Sequence, residues 1–223
     1  MYTPPAFREA RAEVLAAAMR AHPLATLVTN GWAQLEVSHI PMLYTPSANG
    51  AGLLCGHMAR ANPQWQNYAP ESEALAIFSG PPHYVSAAWY PSTHEHGKQE
   101  HGKTVPTWNY VAVHARGTLR FHHDAAWLLA NVSALTDAHE SAVATAVTPP
   151  WRVEDAPRSY IAEMLVQIVG VEFTIATLEG KWKVSQNRSA ADREGVIRAL
   201  QGIGTGEALL MAGLVEDALK SPK

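Results

Sequence analysis

The sequence predicts a mainly β protein: a small antiparallel barrel with helices packed on its outside. Three observations carry that reading. Short apolar and β-branched runs recur along the chain, separated by glycine, proline, asparagine and serine. The dipeptide Asn30-Gly31 stands between two such runs and signals a hairpin. Helical periodicity is confined to a few stretches, so helices surround a sheet rather than alternate with strands. The 223 residues suit one domain with an appendage, expected at 1–200 and 201–223.

In chain order, Phe7, Ala10, Val14, Leu15, Ala18 and Met19 follow helical spacing between Pro4-Pro5 and Pro23, which predicts an amphipathic helix. Leu24–Thr29 and Trp32–Ile40 form the hairpin. In the returning strand Leu35, Val37 and His39 alternate with Gln34, Glu36 and Ser38, which predicts that the first set faces inward. Pro41 is expected to break this strand, leaving Ser38 and His39 where polar groups can face a ligand. A histidine satisfied within the core fits His39 equally. Ser47-Ala48-Asn49-Gly50 reads as the next turn.

The stretch from Gly52 to Trp65 draws most attention. Leu53–Cys55 reads as the end of a buried strand, Gly56 as a turn, and the following residues as a short helix, with Asn62 capping a turn that begins at Pro63. A strand, a glycine and a helix start gather free N–H groups, which suits a phosphate. On such a turn His57 and Arg60 share a face, and Arg60 offers a planar donor fork. A turn with a surface arginine and a buried histidine fits the same spacing.

Ala74–Phe78 predicts another buried strand, Tyr84–Ser86 a short extended piece, and Val105–Phe121 a long alternating strand. Trp108 presents a flat apolar face and Asn109 both a donor and an acceptor, the pairing a planar ring bearing nitrogens and carbonyls requires; a tryptophan filling core is the plainer alternative. Asp124 caps a helix through Leu135, and Tyr160–Leu165 forms a short one. Val169–Thr177 is a strand, Glu179-Gly180 a hairpin turn, and Lys181–Val184 the strand that pairs back. Ser189 and Asp192 predict a capping box for a helix to about Gln201, and a last helix covers Glu207–Leu219.

Several of these segments together resemble the PaiB-type FMN-binding regulators, a family of flavin-binding split β-barrels. The resemblance rests on Tyr2-Thr3-Pro4-Pro5-Ala6-Phe7, His39-Ile40-Pro41, the Gly52–Trp65 stretch, Phe78-Ser79-Gly80-Pro81, Tyr84-Val85-Ser86, Trp89-Tyr90, Val105–Tyr110 and Lys183–Arg188, in the family's order from residue 2 to about 200. Ala87 and Ala88 depart from it, where the family often has proline and serine. The resemblance implies an FMN-binding split β-barrel and a homodimer with one FMN at each of two subunit interfaces. It also implies a cofactor site drawn from Ser38, His39, His57, Arg60, Trp108, Asn109, Lys183, Gln186, Asn187 and Arg188.

Composition limits the function classes. There is no G-x-S-x-G motif and no zinc pair with a general base, so any catalysis would belong to the flavin and no catalytic residue is assigned. His94, His96 and His101 with Glu95 and Glu100 fit no zinc signature, and no metal is expected. The Gly202–Gly206 run is a hinge, since no strand precedes it. A net charge of −3 gives no footprint for nucleic acid, unless Lys181, Lys183, Arg188, Arg193 and Arg198 gather on one face. No apolar run suits a membrane span, no secretory signal opens the chain, and the single Cys55 fits a reducing cytoplasm. The regulator reading stands beside a flavin oxidoreductase or reductase and, more distantly, a haem-binding split barrel.

Overall fold

The computed structural model describes residues 1–32, 34–47, 50–93 and 104–220. The expected turn at 48–49 and the His94–His101 loop lie outside the described residues. Eight strands carry the sheet: β1 (Arg8–Glu9), β2 (Leu24–Asn30), β3 (Leu35–Ser47), β4 (Gly50–Ala59), β5 (Ala74–Ser79), β6 (His83–Val85), β7 (Thr107–His122) and β8 (Ile168–Lys183). The α-helices are α1 (Ala12–Ala21), α2 (Gln64–Asn67), α3 (Ala125–Val143), α4 (Arg158–Leu165), α5 (Ala190–Ile203) and α6 (Gly206–Lys220). Among the described residues no helix is long and apolar enough to cross a membrane.

The hydrogen-bonded order is β1-β8-β4-β3-β2-β5-β7-β6, and β8 also pairs with β7. The order β8-β4-β3-β2-β5-β7 therefore closes on itself, as a barrel requires. The chain forms two compact units, one of residues 1–15, 79–113 and 179–223, the other of 16–78 and 114–178. In the second unit Leu27, Met42, Leu54, Met58, Ala76, Phe78, Val169 and Phe173 are buried. Asp124 caps α3 by accepting from the Trp127 N–H at 2.9 Å, and Asn131 on α3 donates to the Gly56 carbonyl at 3.0 Å. In the first unit α5 and α6 share a core of Val85, Tyr90, Val111, Val184, Leu200 and Met211. Ser189 caps α5, but the expected box is half formed, because the Asp192 carboxylate accepts from Ser92 instead.

Five local expectations are corrected. The first helix begins at Ala12, because Arg8 and Glu9 pair with Lys181 and Gly180 as a strand. The hairpin's return strand begins at Leu35, leaving Trp32 exposed in the connection. Leu35 and Val37 face outward, at 64% and 55% exposure, because the other face of β3 is engaged: Glu36 accepts from Asn67 and Ser38 from Asn62. Pro41 does not break β3. It lies opposite Leu24, and the ladder bond beside it comes from the Met42 N–H to the Pro23 carbonyl at 2.9 Å. Glu179-Gly180 is no turn, since β8 runs unbroken; Gly180 is needed for close approach, where a Cβ would stand 2.8 Å from the Glu9 carbonyl oxygen as well as 2.3 Å from Leu15 Cδ2.

Candidate functional site

The ten predicted cofactor residues fall in two groups, one in each unit. Ser38, His39, His57 and Arg60 belong to the second. Here the strand–turn–helix reading is corrected: β4 continues through Gly56, His57 and Met58, and the next helix starts only at Gln64. His57 pairs with Gly170 in the β4–β8 ladder. Gly56 is required not for a turn but because a Cβ would meet the Pro41 carbonyl at 2.6 Å. The expected Asn62 cap is present, Oδ1 accepting from the Gln64 N–H at 3.0 Å.

Arg60 is largely occupied within the protein. Its Nε donates to the Val166 carbonyl at 2.6 Å, Nη2 to the Ile168 carbonyl at 2.8 Å, and Nη1 to His123 Nδ1 at 3.2 Å. A guanidinium has five N–H donors, so two remain for a ligand. His57 Nδ1 is buried without a partner, and burial lowers its pKa from 6.5. His39 is exposed, its Nδ1 3.0 Å from Thr26 Oγ1, and alternation puts Ser38 on the opposite face.

The second group lies in the first unit and is tighter. Asn109, Lys183, Asn187 and Arg188 line a pocket of about 100 Å³, joined by Tyr90, Val105, Thr107 and Ser185. Asn109 is buried, with Nδ2 donating to Ser185 Oγ at 2.9 Å, while Oδ1 has no donor. Lys183 Nζ donates to Thr107 Oγ1 and to the Trp108 carbonyl at 2.7 Å, keeping a third proton free; burial lowers its pKa. The Arg188 guanidinium lies over the Tyr90 ring, 4.6 Å from its centroid. Trp108 is 56% exposed and meets Tyr84 edge-on. Gln186 stands apart: its amide closes back on Val184 N–H and the Trp182 carbonyl, and it lines a different pocket.

Sequence reasoning missed Ser185, Thr107 and Tyr90 as pocket residues. Ser185 has φ 66°, a left-handed conformation that a serine rarely adopts and that no local sequence signal announces. The pocket is thus a small cleft with two cations, an orphaned acceptor and, among the described residues, no carboxylate in its lining. It suits an electron-rich group that also carries an N–H.

The family model described as "Putative FMN-binding domain" matches residues 1–177. The chain belongs to this FMN-binding family. Its match ends before Lys183–Arg188, so that segment rests on the chain's own geometry. A relative from Emericella nidulans, an uncharacterized protein, is 34% identical over 97% of each chain. The "Protease synthase and sporulation protein PAI 2" of Bacillus subtilis is 28% identical over 99% of each chain. Among solved structures, the FAD and heme binding protein of Mycobacterium smegmatis superposes with a TM-score of 0.54 at 17% identity, covering 79% of this chain and 73% of that one. A conserved hypothetical protein of Mycobacterium tuberculosis gives 0.54 at 12% identity, covering 85% and 94%. These structural likenesses show the fold alone, a split barrel, and the family match gives FMN as the cofactor.

Because burial lowers the His57 pKa, the unfolded chain takes up that proton at higher pH than the folded one. The stability tied to His57 is therefore complete above pH 6.5 and falls as pH drops from there toward the folded value. His22, also lowered by burial, adds the same sign. Urea unfolding across pH 5–8 is expected to show this decline, and His57→Gln to reduce its slope.

Proposed function

We propose that this protein is a homodimeric flavin sensor or regulator with one FMN at each of two subunit interfaces, the two groups of side chains described above coming from different subunits. The observation that carries the flavin contacts is Asn109 Oδ1, buried and without a donor in a pocket that also presents Lys183 and Arg188. A flavin's pyrimidine edge carries one N–H between two carbonyls, so an acceptor flanked by cations matches it. The pocket is too small for a whole flavin, and takes an edge only. Trp108, half exposed beside it, offers a face for the ring. When bound, FMN supplies the redox chemistry; Lys183 and Arg188 supply positive charge near it. Arg60 and His57 are proposed as phosphate contacts through their unused donors. Residues 1–200 make up the flavin-binding domain in this reading, and 201–223 a helical extension.

Dimerisation is supported by an outward face of the β2–β3 hairpin. Leu24, Leu35 and Val37 are more than half exposed there, and Val28 stands opposite Val37. A second copy of the chain would cover such a face. Direct DNA recognition is not part of the proposal. Three of the five basic residues that might have formed a phosphate-binding face are engaged: Lys181 is buried between Tyr2 and Tyr110, Lys183 is tied to Thr107, and Arg188 lies on Tyr90. A regulatory effect would pass through a partner protein or through flavin chemistry. We place the protein in the cytoplasm, which its single cysteine suits.

Four measurements test this reading. FMN at a hundred times its dissociation constant is expected to stabilise the apo protein by about 2.7 kcal/mol. Asn109→Ala should weaken FMN and riboflavin alike, whereas Arg60→Ala should weaken FMN more, since only FMN carries the phosphate. Equal losses for both ligands in Arg60→Ala would remove the phosphate role. Sedimentation is expected to show a dimer at micromolar concentration and a shift toward monomer in Val37→Glu. Anisotropy titration with upstream DNA is expected to show only weak binding that disappears with modest salt; nanomolar binding that survives competitor would restore direct recognition.

A further inference from the structure

The first unit holds a second, larger pocket of about 480 Å³, on residues that the flavin reading leaves largely unused. Trp182, Val184, Val14 and Leu214 supply apolar wall. Its charged residues are in different states. Glu9 and Arg11 neutralise each other: the guanidinium donates from Nη2 at 2.6 Å and from Nε at 3.0 Å, and the carboxylate also accepts the N–H groups of Ala10 and Arg11. Asp217 is exposed to water at the rim.

Arg193 differs from all of these. Its Nη1 donates to the Ala218 carbonyl at 3.1 Å, which fixes the side chain, yet its Nε is buried with no acceptor. Among the described residues it forms no ion pair. A buried donor on a charged group is costly to leave unmade, and Arg193, which lines the pocket, keeps further guanidinium N–H groups for an anionic acceptor there. Gln186, the neutral polar neighbour, is already closed on Val184 and Trp182.

We propose that this pocket binds a small carboxylate with an apolar body, the carboxylate on Arg193 and the body against Trp182 and Leu214. The volume is in the range of small-molecule sites. Charge fits as well, because the Glu9–Arg11 pair cancels and Arg193 makes no ion pair with Asp217, the other acid in the wall, which water already solvates. The site stands apart from the Asn109–Lys183 pocket. Trp182 and Val184 alternate with Lys183 along the chain, so they turn to the opposite face.

The test is calorimetric titration of the full chain with phenylacetate and with its neutral counterpart phenylacetamide. The expected result is saturable binding of phenylacetate at least about tenfold tighter than the amide, the difference a charge-assisted hydrogen bond supplies. Arg193→Gln should erase that preference while leaving FMN affinity unchanged. Leu214→Trp, which fills the pocket and leaves Arg193 in place, should block phenylacetate and decides the matter if Arg193→Gln fails to fold. No saturable binding below about 10 mM, equal affinity for acid and amide, or a preference that survives both substitutions would overturn the proposal.

Discussion

The approach of β7 to β8 is the constraint on which the barrel depends. A Cβ on Gly117 would stand 1.9 Å from the Thr174 carbonyl oxygen, so only glycine lets the two backbones meet there. That meeting turns an open order of strands into a closed one, and closure removes the edges that β7 and β8 would otherwise present. A neighbouring contact works the same way: at Gly170 a Cβ would collide with the Trp127 ring at 2.2 Å. Trp127 in turn stacks on His122, 4.0 Å between centroids and 4° between planes. Two glycines thus fix where the strands close and where α3 lies on them.

The electrostatics of the small pocket follow from how its cations are held. Lys183 and Arg188 are satisfied by a hydroxyl, a carbonyl and an aromatic face, none of which carries a formal negative charge. Among the described residues their positive charge is therefore left without a counter-ion. Burial already works against the charged form of Lys183, so an electron-rich partner there gains more than it would in water. Arg11 is the contrast: its bidentate pairing with the buried Glu9 carboxylate neutralises its charge and raises its pKa. The difference lies in the counter-ion rather than in residue type.

Features set by neighbours in sequence were legible. The Asp124 cap, the Asn62 cap and the Ser189 cap each depend on three or four consecutive residues, and each is present; a hairpin also follows β2, but Asn30 pairs with Leu35 rather than closing a two-residue turn with Gly31. Features set by distant neighbours were not. Gly56 and Gly180 carry the same sequence signature as turn glycines, but they serve close approaches to Pro41 and to Leu15. Arg60 reads as a free donor fork, and its acceptors stand more than a hundred residues away at Val166 and Ile168. The outward turn of Leu35 and Val37 follows from the engagement of Glu36 and Ser38, which alternation alone cannot report. Asn109, Lys183, Asn187 and Arg188 were named from family likeness, and their convergence on one pocket is a tertiary fact.

Ser185 shows how a single backbone conformation brings those four together. Up to Val184 the chain alternates, sending Lys183 to one side and Trp182 and Val184 to the other. Continued alternation would carry the following residues away from Lys183. Ser185 instead takes φ 66°, and the chain folds back, the Arg188 N–H donating to the Ser185 carbonyl at 3.0 Å. Asn187 and Arg188 thereby return to the pocket that Lys183 lines. A left-handed serine costs about 1–2 kcal/mol. The buried bond that its hydroxyl accepts from Asn109 offsets a similar amount. The same contact holds Asn109 by its amide nitrogen and leaves its oxygen as the open acceptor, so the strained turn and the vacant hydrogen-bonding group are two ends of one interaction.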